Sequence, residues 1–144
     1  VSQIRNIRPT APATVSPQRG NLRELARNCE EAGFGQQSGC LTAATHLLGN
    51  LYLRLYPRTA AEMLDRAEDL ARAGAFESAA LALLPPRAVF TGGRLADGSV
   101  IAQVQLNPGH GTHSRNARWL SMAVLAALLR ALAETAGPQA LDAA

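Results

Sequence analysis

The segment from Trp119 to Leu132 is apolar on nearly every side of a helix, with Ser121 and Arg130 as its interruptions. A surface helix carries one apolar stripe; a helix apolar all round is either buried deep in a fold or shared with another chain. The run Leu120 to Leu129 falls well short of the about 20 residues that a membrane-spanning helix needs. The rest of the chain or a second copy must therefore supply the cover, which is one reason to expect self-association, and 144 residues suit one domain. A compact chain of that size hides about 68–70% of the surface its unfolded form exposes, enough for such a core.

The period of the pattern predicts what the cover is made of. Residues 1–20 hold three prolines and scattered arginines with no periodicity, and read as an extended arm. Asn21 and Glu24 have the spacing of a capping box, and Leu22, Leu25, Ala26, Cys29 and Ala32 form an apolar stripe behind it. Gly33-Phe34-Gly35 ends that helix. A second helix fits Cys40 to Tyr56, stopped by Pro57. A third runs from about Thr59 to Ala73, broken by Gly74, and a short fourth runs from Ala75 to Leu84. Pro85-Pro86 then forbids further helix.

After the prolines the period becomes that of a strand. Arg87 to Leu95 and Ser99 to Leu106 flank Ala96-Asp97-Gly98, and Asp-Gly is a strong hairpin signal because both positions tolerate positive φ. A two-residue loop at Asp97-Gly98 would set Leu95 opposite Val100, Gly93 opposite Ala102, Thr91 opposite Val104 and Val89 opposite Leu106. A loop over 107–114 then leads to a last helix over about 115–135. The expected fold is α+β: a helix-rich single domain over 21–137, with four to five helices and one antiparallel β-hairpin packed by the long apolar C-terminal helix. Residues 138–144 form a tail.

Charge and composition narrow the function. All 14 basic residues are arginine. The absence of lysine excludes Schiff-base chemistry, anchoring of pyridoxal phosphate and the lysine of a phosphate loop. GC-rich coding sequence, as in such a bacterium or its mobile elements, yields this arginine and alanine bias without selection for function. The net charge is only +3, but it is unevenly spread. Arg5, Arg8, Arg19, Arg23 and Arg27 crowd the start, while Glu62, Asp65, Glu68, Asp69 and Glu77 make an acidic middle. That polarity suits an anionic partner or head-to-tail self-association. Cys29 and Cys40 have neither C-x-x-C spacing nor the density of a disulfide framework, and read as small core residues. The first twenty residues lack the apolar region of a signal peptide, so the expected location is cytoplasmic.

The string Gly109-His110-Gly111-Thr112-His113 resembles the histidine motif of subtilisin-like serine proteases, in which the first histidine is the general base. The resemblance implies that role for His110. It covers only five residues, and the rest of the family's pattern is missing. Asp97 lies in a hairpin turn, and Ser121-Met122-Ala123 lacks the preceding Gly-Thr and sits too close in sequence. The family's domain is also far larger. No Ser-His-Asp set assembles, and the match reads as coincidence.

Two other readings of this string remain. His110 and His113 could ligate a metal with His46 or a cysteine, but no recognised ligand spacing is present, and no metal or cofactor is expected. Alternatively the loop opens onto a helix N-terminus, where backbone N–H groups with His110, His113, Ser114, Arg115 and Arg118 would hold an anion. The bland counterpart is a helix capped by Thr112 or Ser114. Thr91-Gly92-Gly93-Arg94 is not a phosphate loop; paired glycines in a strand mark a bulge or a close neighbour. The acidic middle reads as a solvated helix face.

The favoured expectation is a small non-catalytic binding or regulatory protein, a homo-oligomer working through protein–protein contacts with a protein partner or anionic ligand and without a membrane. One alternative is a nucleic-acid-associated protein whose arm, with Arg5, Arg8 and Arg19, tracks phosphates. The other is a small hydrolase or transferase centred on His110 and His113.

Overall fold

The computed structural model describes residues 19–107 and 113–135. Among them are five α-helices, a single 3-10 turn and a three-stranded antiparallel sheet, a helix-rich α+β fold. In chain order these are α1 (Arg19–Glu30), the 3-10 turn Phe34–Gln36, α2 (Gln37–Leu55), α3 (Ala60–Arg72) and α4 (Phe76–Ala82). Then follow β1 (Val89–Arg94), β2 (Val100–Gln105), β3 (His113–Ala117) and α5 (Leu120–Thr135).

Helix α5 is the hub. Every residue from Ser121 to Leu129 is buried, as are Ala131, Leu132 and Ala133. It packs mainly against α1 and α4 and against β2 and β3 of the sheet. Each buried leucine among Leu125, Leu128, Leu129 and Leu132 contributes about 1.5–3 kcal/mol relative to exposure. The apolar helix is thus covered within one chain. Helix α3 packs on α2 and α4. The stripes on α1 (Leu22, Ala26, Cys29) and α2 (Leu41, Ala44, Leu48, Leu51) are buried as their spacing predicts.

Four expectations need correction. The hairpin is part of a three-stranded sheet in the order β1-β2-β3, because residues 113–117 pair with β2. Ladder hydrogen bonds take up their backbone groups, so the last helix starts at Leu120 rather than at Arg115. Its first bonds run from the Met122 and Ala123 N–H groups to the Trp119 carbonyl, each 3.0 Å.

The hairpin register is also shifted by one residue. Leu95 N–H donates to Ser99 O at 2.8 Å, and Gly98 N–H returns to Leu95 O at 3.0 Å. The loop is therefore Ala96-Asp97-Gly98, with Gly98 at φ +92°. A turn closed by a left-handed glycine is the common three-residue alternative to a two-residue loop. The shift turns β1 over: Phe90, Gly92 and Arg94 share a face with Ala102 and Val104, whereas Val89 and Leu95 are exposed.

Finally, α1 begins at Arg19, so Asn21 lies inside the helix and its capping box with Glu24 is not formed. Thr59 does stand at the N-cap of α3, without a side-chain cap bond.

Candidate functional site

A surface trench runs along the junction of the 3-10 turn, α4, the hairpin and the start of α5. One part, about 810 Å³, is lined by Glu77, Gly92, Arg94, Arg118, Trp119 and Leu120, among others. A second part, about 350 Å³, lies beside Phe34, Gln37, Phe76 and Ser78. Glu77 and Trp119 line both parts.

The aromatic floor is assembled from three separate elements. Phe34 sits in a turn closed by the Gly33 N–H donating to Gln36 Oε1 at 2.7 Å. Its ring meets Trp119 edge-on at 5.4 Å between centroids and Phe76 at 6.3 Å. Phe34 is nevertheless 63% exposed. The Trp119 indole N–H is buried and has no acceptor among the described residues. A buried donor without a partner costs about 1–3 kcal/mol.

A hydrogen-bond relay fixes this floor. The Ser121 hydroxyl donates to Gln37 Oε1 at 2.5 Å, and the Gln37 amide donates to the Phe34 carbonyl at 3.3 Å. Gln37 and Ser121 are the buried polar residues of the core.

Charge enters from both banks. Arg94 ends β1 and Arg118 precedes α5; neither has an ion-pair partner among the described residues. Glu77 and Asp97 also line the larger part of the trench. Asp97 is engaged by its own turn: it accepts the Ser99 hydroxyl at 2.7 Å and the Ser99 N–H at 3.0 Å. Those bonds hold its carboxyl below the usual carboxylate range.

Gly92 admits α5 to the sheet. A side chain there would meet Leu120 Cδ1 and the Phe90 ring at 3.1 Å. The glycine pair thus marks a closely approaching neighbour, one of its two sequence readings.

Of the anion- or partner-binding candidates named from sequence, Arg118 is the one among the described residues that lines the trench. Arg5, Arg8 and His110 lie outside the described residues, as does Thr112. Arg19 is exposed at the start of α1. His113, Ser114 and Arg115 stand on β3 rather than in a loop that opens directly onto α5, which begins at Leu120. Arg115 instead joins a clamp, its Nε 3.4 Å from Glu30 Oε2. Arg130 grips the same carboxylate with two bonds, Nε to Oε2 at 2.7 Å and an Nη2 bond to Oε1 at 3.0 Å. This half-buried trio ties α1, β3 and α5 together. His46 is exposed on α2. Among the described residues no three His, Cys, Asp or Glu side chains gather to hold a metal. No helix among them is long and apolar enough to cross a membrane.

Sequence reasoning missed Phe34, Phe76, Arg94 and the meeting of Cys29 with Cys40. One available signal was that Phe34 belongs to no apolar stripe, being held between glycines. Comparison with protein-family models, with curated proteins and with solved structures gives no match to this chain.

Proposed function

We propose that this chain is a small binding or regulatory protein that self-associates and acts through protein–protein contacts made in the trench. The observation that carries this reading is the Trp119 ring, which packs edge-on against the exposed Phe34 and lines, together with Arg94 and Arg118, the larger part of the trench. Aromatic and arginine side chains dominate the energetics of protein interfaces when clustered in a pocket. The cover of α5 within one chain means that association does not rest on that helix. It rests on the trench.

The occupant we favour is the acidic face of α3 from a second copy. Glu62 and Asp65 are exposed there without an ion-pair partner among the described residues, while Glu68 and Asp69 pair with Arg72. Trench and α3 are different patches, so the contact is heterologous, and successive copies add head to tail into a ring or an open chain.

The test is light scattering of the full chain at tens of micromolar, in low and in high salt. The expected result is a species larger than a monomer that dissociates as salt rises, because exposed charge pairs are screened. Combined Arg94→Ala and Arg118→Ala should weaken association by about tenfold or more. A monomer at both ionic strengths would overturn self-association. Association indifferent to those substitutions and to Phe34→Ala would overturn the trench as its seat.

A further inference from the structure

Away from the trench, the fold brings the two cysteines into contact. Cys29 comes from the last turn of α1 and is fully buried; Cys40 comes from the first turns of α2 and is 8% exposed. Their thiols are close enough to interact with each other. Cys40 lies at the edge of a groove of about 580 Å³, shared with Asn28, Glu31, Gly35 and Gly39. Nothing lies within 4 Å of where a side chain would begin at Gly35 or Gly39.

The pair is chemically asymmetric. The interaction with Cys29 stabilises a thiolate on Cys40 and lowers its pKa to about 7, although partial burial opposes this. The same interaction, then burial, pushes the Cys29 thiol up, so it keeps its proton. The cysteine that lines the groove is thus the one that ionises near neutral pH, and the fully buried one stands beside it. Thiol reactivity follows thiolate character and access together.

We propose that Cys29 and Cys40 form a redox-active dithiol, in which Cys40 attacks a low-molecular-weight disulfide and Cys29 resolves the product. In the first step the Cys40 thiolate, its proton already lost to solvent, attacks one sulfur of R–S–S–R. A Cys40–S–S–R bond forms and RS⁻ leaves. In the second step Cys29 gives its proton to solvent and attacks the Cys40 sulfur. The Cys29–Cys40 disulfide forms, and the second RS⁻ leaves. Both thiolates released take up a proton, so two protein thiols are oxidised and one small disulfide is reduced to two thiols.

The experiment treats the full native chain with oxidised glutathione at neutral pH and follows intact mass. The wild type should lose two hydrogens and retain no glutathione. Cys29→Ala should stop at the first step and carry one glutathione on Cys40. Cys40→Ala should remain unmodified while folded, as judged by circular dichroism, and react only after denaturation. In the wild type, Cys40 should be alkylated by iodoacetamide at least about tenfold faster than Cys29, with a rate that half-saturates near pH 7. The proposal fails if the native wild type keeps two free thiols while the denatured chain oxidises. It fails equally if folded Cys40→Ala is modified at Cys29. Because the wild-type and Cys29→Ala mass readings require no substitution in the trench and no association, their outcome is independent of the function proposed above.

Discussion

The Ser121 hydroxyl, in the first turn of α5, donates to the side-chain carbonyl of Gln37 at the start of α2, 2.5 Å away and shielded from water. Ser121→Ala leaves that carbonyl buried without its partner, at a cost of about 1–3 kcal/mol. Pairing Ser121→Ala with Gln37→Leu removes both polar groups and should recover much of the loss. Urea unfolding of the single and double variants measures the coupling. A Ser121→Ala protein as stable as its parent would show that the relay does not hold the Phe34 floor.

The glycine pair in β1 offers a test of the register. Gly92 faces Leu120 at close range, while Gly93 has nothing within 4 Å of where a side chain would begin. Gly92→Val should cost about 1–3 kcal/mol through overpacking. Gly93→Val, on the outer face, should stay within about 0.5 kcal/mol of the parent. A two-residue turn would place Gly93 on the packed face, so the opposite order of thermal midpoints would restore that register.

The Glu30 clamp predicts a ranking. Glu30→Ala leaves Arg130 half-buried without its two bonds and should destabilise by about 1–3 kcal/mol, whereas Arg115→Ala should cost less than about 1 kcal/mol because its Nε stands 3.4 Å from the carboxylate and makes no hydrogen bond to it. Chemical denaturation of the two variants checks the order; equal losses would mean that the clamp is not centred on Arg130.

Much of this fold was legible because its helices obey simple periodicity. The stripes on α1 and α2 and the all-round apolarity of α5 led to their burial. The third strand was not legible: His-Ser-Arg-Asn-Ala carries no alternating apolar pattern and becomes a strand only through pairing with β2. The register escaped for a related reason. Gly92 and Gly93 have no side chains to mark which face is packed, and Ala96-Asp97-Gly98 accommodates two loop lengths. The trench draws on four separate elements, so no local motif announces it. The cysteines did leave a trace, since they lie nearly equidistant from the Phe34-Gly35 turn and meet once α2 packs on α1.

Two backbone positions with left-handed φ should respond in opposite directions. Gly74, at φ +82°, closes α3, with Ala75 N–H reaching back to Leu70 O at 2.9 Å; Gly74→Ala should cost about 1–2 kcal/mol. Arg87 holds φ +76° after the proline pair with a side chain that disfavours it. Arg87→Gly relieves that strain at some cost in chain entropy, for a net gain of about 0.5–1 kcal/mol. Thermal unfolding decides both, and a stability loss at Arg87→Gly would mean that the strain is absent.

The hairpin turn should weaken in acid. Because bonds from Ser99 depress the Asp97 pKa, their contribution is present above the carboxyl's unfolded pKa and is lost as pH falls through the lower folded value. Amide exchange at Ser99 should therefore accelerate on acidification relative to neighbouring amides. Asp97→Asn should abolish that differential; a differential that survives would assign it to another group.

The central helix comes last among the described elements, yet α1, α2, α4 and the sheet all lie against it. A nascent chain therefore emerges with its earlier amphipathic helices and its hairpin greasy side out, and nothing seals them until α5 clears the ribosome. Folding is postponed to the close of translation of this region, which makes the unfinished polypeptide a natural client for holding chaperones.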